Sequence, residues 1–140
     1  MHPYIHAKKN PNKPALIMAS SGKVTTYKEL DERSNQIAHL FRQKGLKIGD
    51  GISIFMENNS RFLEICWAAQ RSGLYFTPIS SKLTAGEVKY IHDDCNSKFL
   101  IASKYLKNVA NEIYELTKNT EHHYMVDGIE SGWQSFEDAI

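Results

Sequence analysis

Two histidine-bearing stretches and two glycine-bearing turns hold the residue types best suited to chemistry. His92-Asp93-Asp94-Cys95 offers side chains that bind metal ions. Consecutive helical residues point in different directions, however, and only His92 and Cys95, three apart, share a face. Two ligands are too few for a tetrahedral metal site. His122 and His123 fall in a short run that reads as a strand, so they alternate and at most one faces any given site. Ser20-Ser21-Gly22-Lys23 mimics the tail of a phosphate loop. It lacks the upstream glycine and the following helix that would aim amides at an anion, and a hairpin turn accounts for it. Gly45, Gly49 and Gly51 fit a turn between a helix end and a strand, with Gly51 marking a close backbone approach. Cys66 and Cys95 have no C-x-x-C partner and read as two buried, reduced thiols. No nucleophile with a matched base and orienting acid can be named. The sequence therefore assigns no catalytic, cofactor-binding or metal-binding residue.

The elements around these residues alternate. Ala15–Ala19 and Lys23–Thr26 read as a β-hairpin. Thr26-Tyr-Lys-Glu29 is a capping box opening a helix with Leu30, Ile37, Leu40 and Phe41 on one face, closed by Gly45. Ile52–Met56 reads as a buried strand, and Asn58 or Asn59 as the cap of a helix that is apolar nearly all round, Phe62 to Ala69. Leu74–Ile79 reads as an inner strand, and Thr84-Ala-Gly-Glu87 as a second capping box. The helix it opens carries Val88, Ile91 and Cys95 on one face. Phe99–Ala102, an amphipathic helix through Leu106–Leu116, and His123–Val126 complete the series.

This pattern predicts an α/β fold: an N-terminal β-hairpin, then an open, mostly parallel sheet with helices on both faces. Residues 1–140 are expected to form one subdomain, with 1–13 a loosely ordered arm. A chain of 140 residues folding alone buries roughly 68–70% of its unfolded surface. Ser135-Phe-Glu-Asp138 resembles a helix start with nothing to anchor it, and suggests a truncated piece of a longer chain. Two readings of Tyr75-Phe76 stay open: sheet core, or a strand delivering Pro78–Lys82 to a cleft beyond the carboxyl ends of the strands.

Composition excludes several classes. The apolar content is 41%, the charged content 24% and the net charge +1. That balance gives no electrostatic case for nucleic acid or an anionic membrane as partner. No run approaches the ~18 apolar residues of a membrane span. The N-terminus lacks the apolar core of a secretory signal, so a cytoplasmic location is expected.

The landmarks occur in a familiar order. Asn12-Lys-Pro-Ala-Leu-Ile17, Thr25-Thr-Tyr-Lys-Glu-Leu30, Gly45 with Gly49-Asp50, and Glu57-Asn58 come first. Arg71-Ser-Gly73, Thr77-Pro78-Ile79, Leu83-Thr84 and Glu87 follow. From about Asn10 to Ser103 this series resembles the start of the adenylate-forming acyl-CoA synthetases; Ser72–Ile79 with Asp94-Cys95 is most similar to bacterial fatty-acyl-CoA synthetases. The resemblance implies a parent enzyme that joins ATP and a fatty acid into an acyl-adenylate and passes the acyl group to CoA, with Mg²⁺ on the phosphates. It also implies that the phosphate loop ending in Pro-Lys-Gly and the catalytic lysine lie downstream. The expectation is an N-terminal fragment, inactive alone and holding no cofactor, whose partner is the remainder of the same polypeptide. An exposed apolar surface, open to dimer formation, should mark where that remainder packs. Two departures stand out: Ser80 where the family commonly has Asn, and Gly51 where a side chain is usual. The alternative is a self-contained α/β module that binds a small molecule or protein without catalysis, and a receiver-type signalling domain is a distant third.

Overall fold

The computed structural model describes residues 2–140. Its strands form two sheets. β1 (Pro14–Ile17) and β2 (Val24–Thr26) pair antiparallel, with Ile17 opposite Val24. The second sheet is wholly parallel, in the order β4 (Tyr75–Ile79), β3 (Gly51–Phe55), β5 (Ser97–Ser103), β6 (His122–Val126), β7 (Gln134–Ser135). Six helices connect or cover them: α1 (Pro3–Lys9), α2 (Tyr27–Gln43), α3 (Arg61–Arg71), α4 (Ala85–Asp94), α5 (Lys107–Leu116) and α6 (Phe136–Ala139).

Helix starts follow local chemistry. Both predicted capping boxes form: Thr26 Oγ1 accepts from Glu29 N while Glu29 Oε2 accepts from Thr26 N, and Thr84 and Glu87 repeat the exchange. Each satisfies two of the amide donors that a helix start leaves free. At α3, Asn59 Oδ1 accepts from Arg61 N at 2.9 Å, so the asparagine cap comes from one residue before the helix boundary. Gly73 ends that segment at φ +69°, a left-handed conformation that glycine adopts without steric cost.

Every residue of β3 and β6 is buried because helices cover both faces. On one face Ile52, Ile54, Phe99, Ile101, Tyr124 and Val126 pack with Ile37, Phe41, Ile65, Ala68 and Phe136. Phe99 and Tyr124 stack at 4.9 Å with nearly parallel rings. On the other, Phe55, Leu100, Ala102 and Met125 pack with Val88, Ala110, Ile113 and Trp133. Gly51 sits where a β-carbon would stand 3.1 Å from the Cys95 carbonyl oxygen, which gives its departure from the family pattern a steric reason.

Four expectations change. Leu74–Ile79 is not an inner strand among the described residues: β4 is the edge of the sheet, and Tyr75 and Phe76 are exposed, because no described strand pairs beyond it. That also removes the sheet-core reading of Tyr75-Phe76, and Pro78, which lacks an amide hydrogen, suits an edge. Residues 3–9 form α1 rather than a loose arm. His2 caps it, the His2 and Trp67 rings meet edge to face at 5.1 Å, and His6 lies 4.8 Å from Tyr27. On α4 the inward residue is His92, not Cys95, which is exposed at the helix end. Finally, α6 is anchored: Ser135 Oγ accepts from Asp138 N, and Phe136 is fully buried. Burying such a ring is worth about 1.5–3 kcal/mol.

Candidate functional site: the crevice at the carboxyl ends of the strands

The chain leaves β3 toward α3 on one face of the sheet, and leaves β4 and β5 toward α4 and α5 on the other. Loops that part in this way open a crevice at the carboxyl end of β3, the place where open α/β sheets take their ligands. A crevice of about 580 Å³ lies there, lined by Met56, Glu57, Asn58, Ile79, Ser80, Ser81, Lys82, Tyr105 and Leu106. That volume is within the range of small-molecule sites. Ile79–Lys82 line it, as the cleft reading of Tyr75-Phe76 requires, and the segments that follow β3 and β5 supply its other walls.

Its polar groups are tied to one another. Glu57 Oε2 accepts from Ser103 Oγ at 2.5 Å, and Glu57 Oε1 accepts from Asn59 Nδ2 at 3.1 Å. Asn59 Nδ2 also donates to Asp127 Oδ2 at 2.7 Å, and Asp127 N donates to Glu137 Oε2. Ser103 Oγ in turn accepts from Tyr105 N. The ends of β3, β5 and β6 are therefore cross-braced by one network that meets the crevice at Glu57. Glu57 is already engaged by two donors, and no histidine lines the crevice to act as a base. As built from this chain, it is a braced wall lined by Ser80, Ser81 and Lys82, and its one hydroxyl–carboxylate contact, Ser103 with Glu57, has the serine fully buried and out of a substrate's reach.

The histidines lie at the opposite, amino end of the sheet. His92, 2% exposed, contacts Ser53 Oγ through Nδ1 at 3.0 Å and Thr120 Oγ1 through Nε2 at 2.7 Å. Ser53 Oγ donates to Ser97 Oγ at 2.8 Å. The ring Nδ1–H therefore donates to Ser53, and Nε2 accepts from Thr120. Burial lowers the pKa of His92 and favours this neutral form. The arrangement has the look of a serine–histidine pair, but Ser53 is fully buried and the third member is a hydroxyl, not a carboxylate. A nucleophile out of reach of substrate does no acyl transfer; the chain of hydrogen bonds fastens α4 to β3.

His122 and His123 point to opposite faces, as strand alternation requires. His122 Nε2 donates to the Lys44 carbonyl and its ring lies 5.4 Å from Phe99. His123 sits between Tyr114 and Trp133 at 4.9 and 5.4 Å. Burial, aided by the charge of a protonated His92, pushes the His123 pKa down to about 4. Among the described residues no three His, Cys, Asp or Glu side chains come close enough to hold a metal ion. The Mg²⁺ that the resemblance implies finds no fitting ligand set among the described residues.

Sequence reading missed Glu64. It lies in the apolar helix α3, is 0% exposed, and accepts from Arg33 Nη1 at 3.0 Å and Arg61 Nη1 at 2.9 Å. Arg61 Nε extends the network to Glu137 on α6 at 3.4 Å. One charged residue among Phe62, Leu63, Ile65 and Cys66 is the signal that would have found it, since a carboxylate is fully buried only when paired.

Comparison with known proteins agrees with this architecture. The sequence model of the AMP-binding enzyme family matches residues 4–139. A fatty acid–[acyl-carrier-protein] ligase, ScoC, of Streptomyces coeruleorubidus is 33% identical over 95 residues, 68% of this chain and 18% of that protein. Long-chain fatty acid transport protein 6 of Homo sapiens is 26% identical over 137 residues, 96% of this chain and 22% of that protein. A structure from Rhodopseudomonas palustris assigned as a long-chain-fatty-acid CoA ligase superposes with a TM-score of 0.88 at 18% identity, covering 98% of this chain and 34% of that one. The chain thus spans 18–34% of these proteins, and the last likeness establishes the fold alone. With the model match running over nearly the whole length, the chain belongs to the AMP-binding enzyme family.

Proposed function

We propose that this chain is the N-terminal wall of the large domain of a longer fatty-acid–CoA ligase. The parent uses ATP and Mg²⁺ to form an acyl-adenylate from a long- or medium-chain fatty acid, then transfers the acyl group to CoA. The chain alone is catalytically inert. One observation carries this reading: a family match from residue 4 to residue 139 on a body whose switch-point crevice holds braced polar groups but no reacting pair. The fatty-acid ligase and transport relatives support the substrate class. The exposed edge strand β4, with Tyr75 74% and Phe76 38% exposed, is the surface we assign to the remainder of the polypeptide, or to a second copy in its absence. A cytoplasmic location accords with the absence, among the described residues, of any helix long and apolar enough to cross a membrane.

The test is pyrophosphate exchange. The chain is incubated with ATP, Mg²⁺, a fatty acid and radiolabelled pyrophosphate. No label is expected in ATP, and exchange above the protein-free blank refutes inertness. One observation favours the second reading, a self-contained binding module: the anchored α6 with its buried Phe136. An exposed-surface dye separates the two. Binding that is lost in Tyr75→Ser/Phe76→Ser supports an uncovered packing face; no dye binding supports the module.

A further inference from the structure

The net charge of +1 conceals a division along the chain. Residues 1–28 hold five of the 17 Lys and Arg (Lys8, Lys9, Lys13, Lys23 and Lys28) and none of the 16 Asp and Glu, so this stretch carries +5 and the rest carries −4. All five lysines are exposed. The structure brings the segments that carry Lys8, Lys9, Lys13 and Lys28 beside one another. The His6 and Tyr27 rings lie 4.8 Å apart, tilted by 32°, Lys13 O accepts from Tyr27 N, and Pro11 O accepts from Lys28 N. These contacts fix α1 and the turn behind it against the start of α2. Tyr4 and Lys8, and Ile5 and Lys9, are pairs four apart on the helix, so each pair shares a side. Tyr4 is 45% and Ile5 37% exposed, and Lys8 Nζ lies 4.5 Å above the Tyr4 ring.

The neighbouring acids are already engaged. Glu29 is held in the Thr26 capping box, Asp31 pairs with Arg71 at 2.6 Å, and Glu32 lies 3.9 Å from Lys28. Lys8, Lys9 and Lys13 make no ion pair among the described residues. Exposed aromatic and aliphatic side chains beside unpaired lysines, with no acid interleaved, suit the boundary between headgroups and acyl chains. We propose that α1 and the Pro11–Lys13 turn dock on an anionic lipid surface: Tyr4 and Ile5 enter the interface, while Lys8, Lys9 and Lys13 face the headgroup phosphates. This inference is independent of which carboxylate the parent activates. It departs from the expectation drawn from the whole-chain charge of +1, since a patch within a Debye length of about 8 Å acts on its own charge, not on the whole chain's.

Vesicle flotation of the 140-residue chain tests it, with phosphatidylcholine vesicles prepared with and without phosphatidylserine. The chain should float with the anionic vesicles, stay behind with the neutral ones, and be released by high salt. A surface lysine contributes about a fivefold factor. Lys8→Glu, Lys9→Glu and Lys13→Glu combined should therefore lower partition at least a hundredfold, with an unchanged circular dichroism spectrum. Tyr4→Ser with Ile5→Ser should lower it several-fold at constant charge. Absence of flotation, equal flotation with neutral vesicles, or undiminished flotation of the triple variant would each overturn the proposal. So would tight binding to single-stranded DNA without vesicle partition, which would reassign the basic face to nucleic acid.

Discussion

Acidification from pH 8 to pH 5 should weaken the fold mainly through His123. The ring is 5% exposed, packed between Tyr114 and Trp133. Thr117 Oγ1 donates to the Ile113 carbonyl at 2.8 Å, so it accepts from His123 Nε2–H at 2.9 Å, and the neutral ring is satisfied. Burial holds the folded pKa at about 4 against an ordinary value of 6.5. Because the folded value is the lower one, the neutral ring's contribution is complete above pH 6.5 and is lost as pH falls toward 4. The full gap of about 2.5 units corresponds to roughly 3 kcal/mol, and about 2 kcal/mol of it is gone by pH 5. His92 and His2 are lowered by burial too and act in the same direction. The carboxylates Glu29, Asp50, Glu87 and Glu130 have lowered values and titrate below this window, so they do not confuse it. The assay is urea unfolding at pH 8 and pH 5 for the wild type and for His123→Gln, which keeps an amide donor for Thr117. The wild type should lose more than the variant, by about 2 kcal/mol. Equal losses in the two proteins would refute the buried, neutral ring.

Three other outcomes are expected. Glu64→Ala strips the shared partner from Arg33 and Arg61 and should cost about 3 kcal/mol by urea unfolding, reduced because both arginines reach solvent. Thr26→Ala and Thr84→Ala each break a capping box and should each cost about 1 kcal/mol in the same assay. A thiol reagent at pH 8 should label one cysteine per folded chain, the exposed Cys95, while Cys66, buried with its pKa pushed up to about 11, reacts only after unfolding; rapid labelling of both would contradict the packing of α3.

Local signals carried much of the fold. The capping boxes at Thr26 and Thr84, the left-handed Gly45 that closes α2 and the alternating apolar runs depend on neighbours within a few residues, and each is found where the pattern put it. What the sequence could not show was sheet order. Leu74–Ile79 is apolar enough for an inner strand, and only the pairing of β3 with both β4 and β5 reveals it as an edge. The same limit applies to α4, where His92 turns inward because Ser53 and Thr120, far away in sequence, offer it partners. The crevice was half legible. Pro78–Lys82 pointed to it, but the bracing of Glu57 by Ser103, 46 residues away, needed the topology. Whole-chain charge averaged away the one-sidedness of residues 1–28, which counting by segment would have exposed.

The most direct measurement is the sequence encoded after the codon for Ile140 in the natural gene. A Ser/Thr/Gly-rich loop ending in Pro-Lys-Gly, within a few tens of residues, is expected if this body is the wall of an adenylate-forming ligase. A stop codon at that point, with a native protein of 16.0 kDa in the source cells, would contradict it.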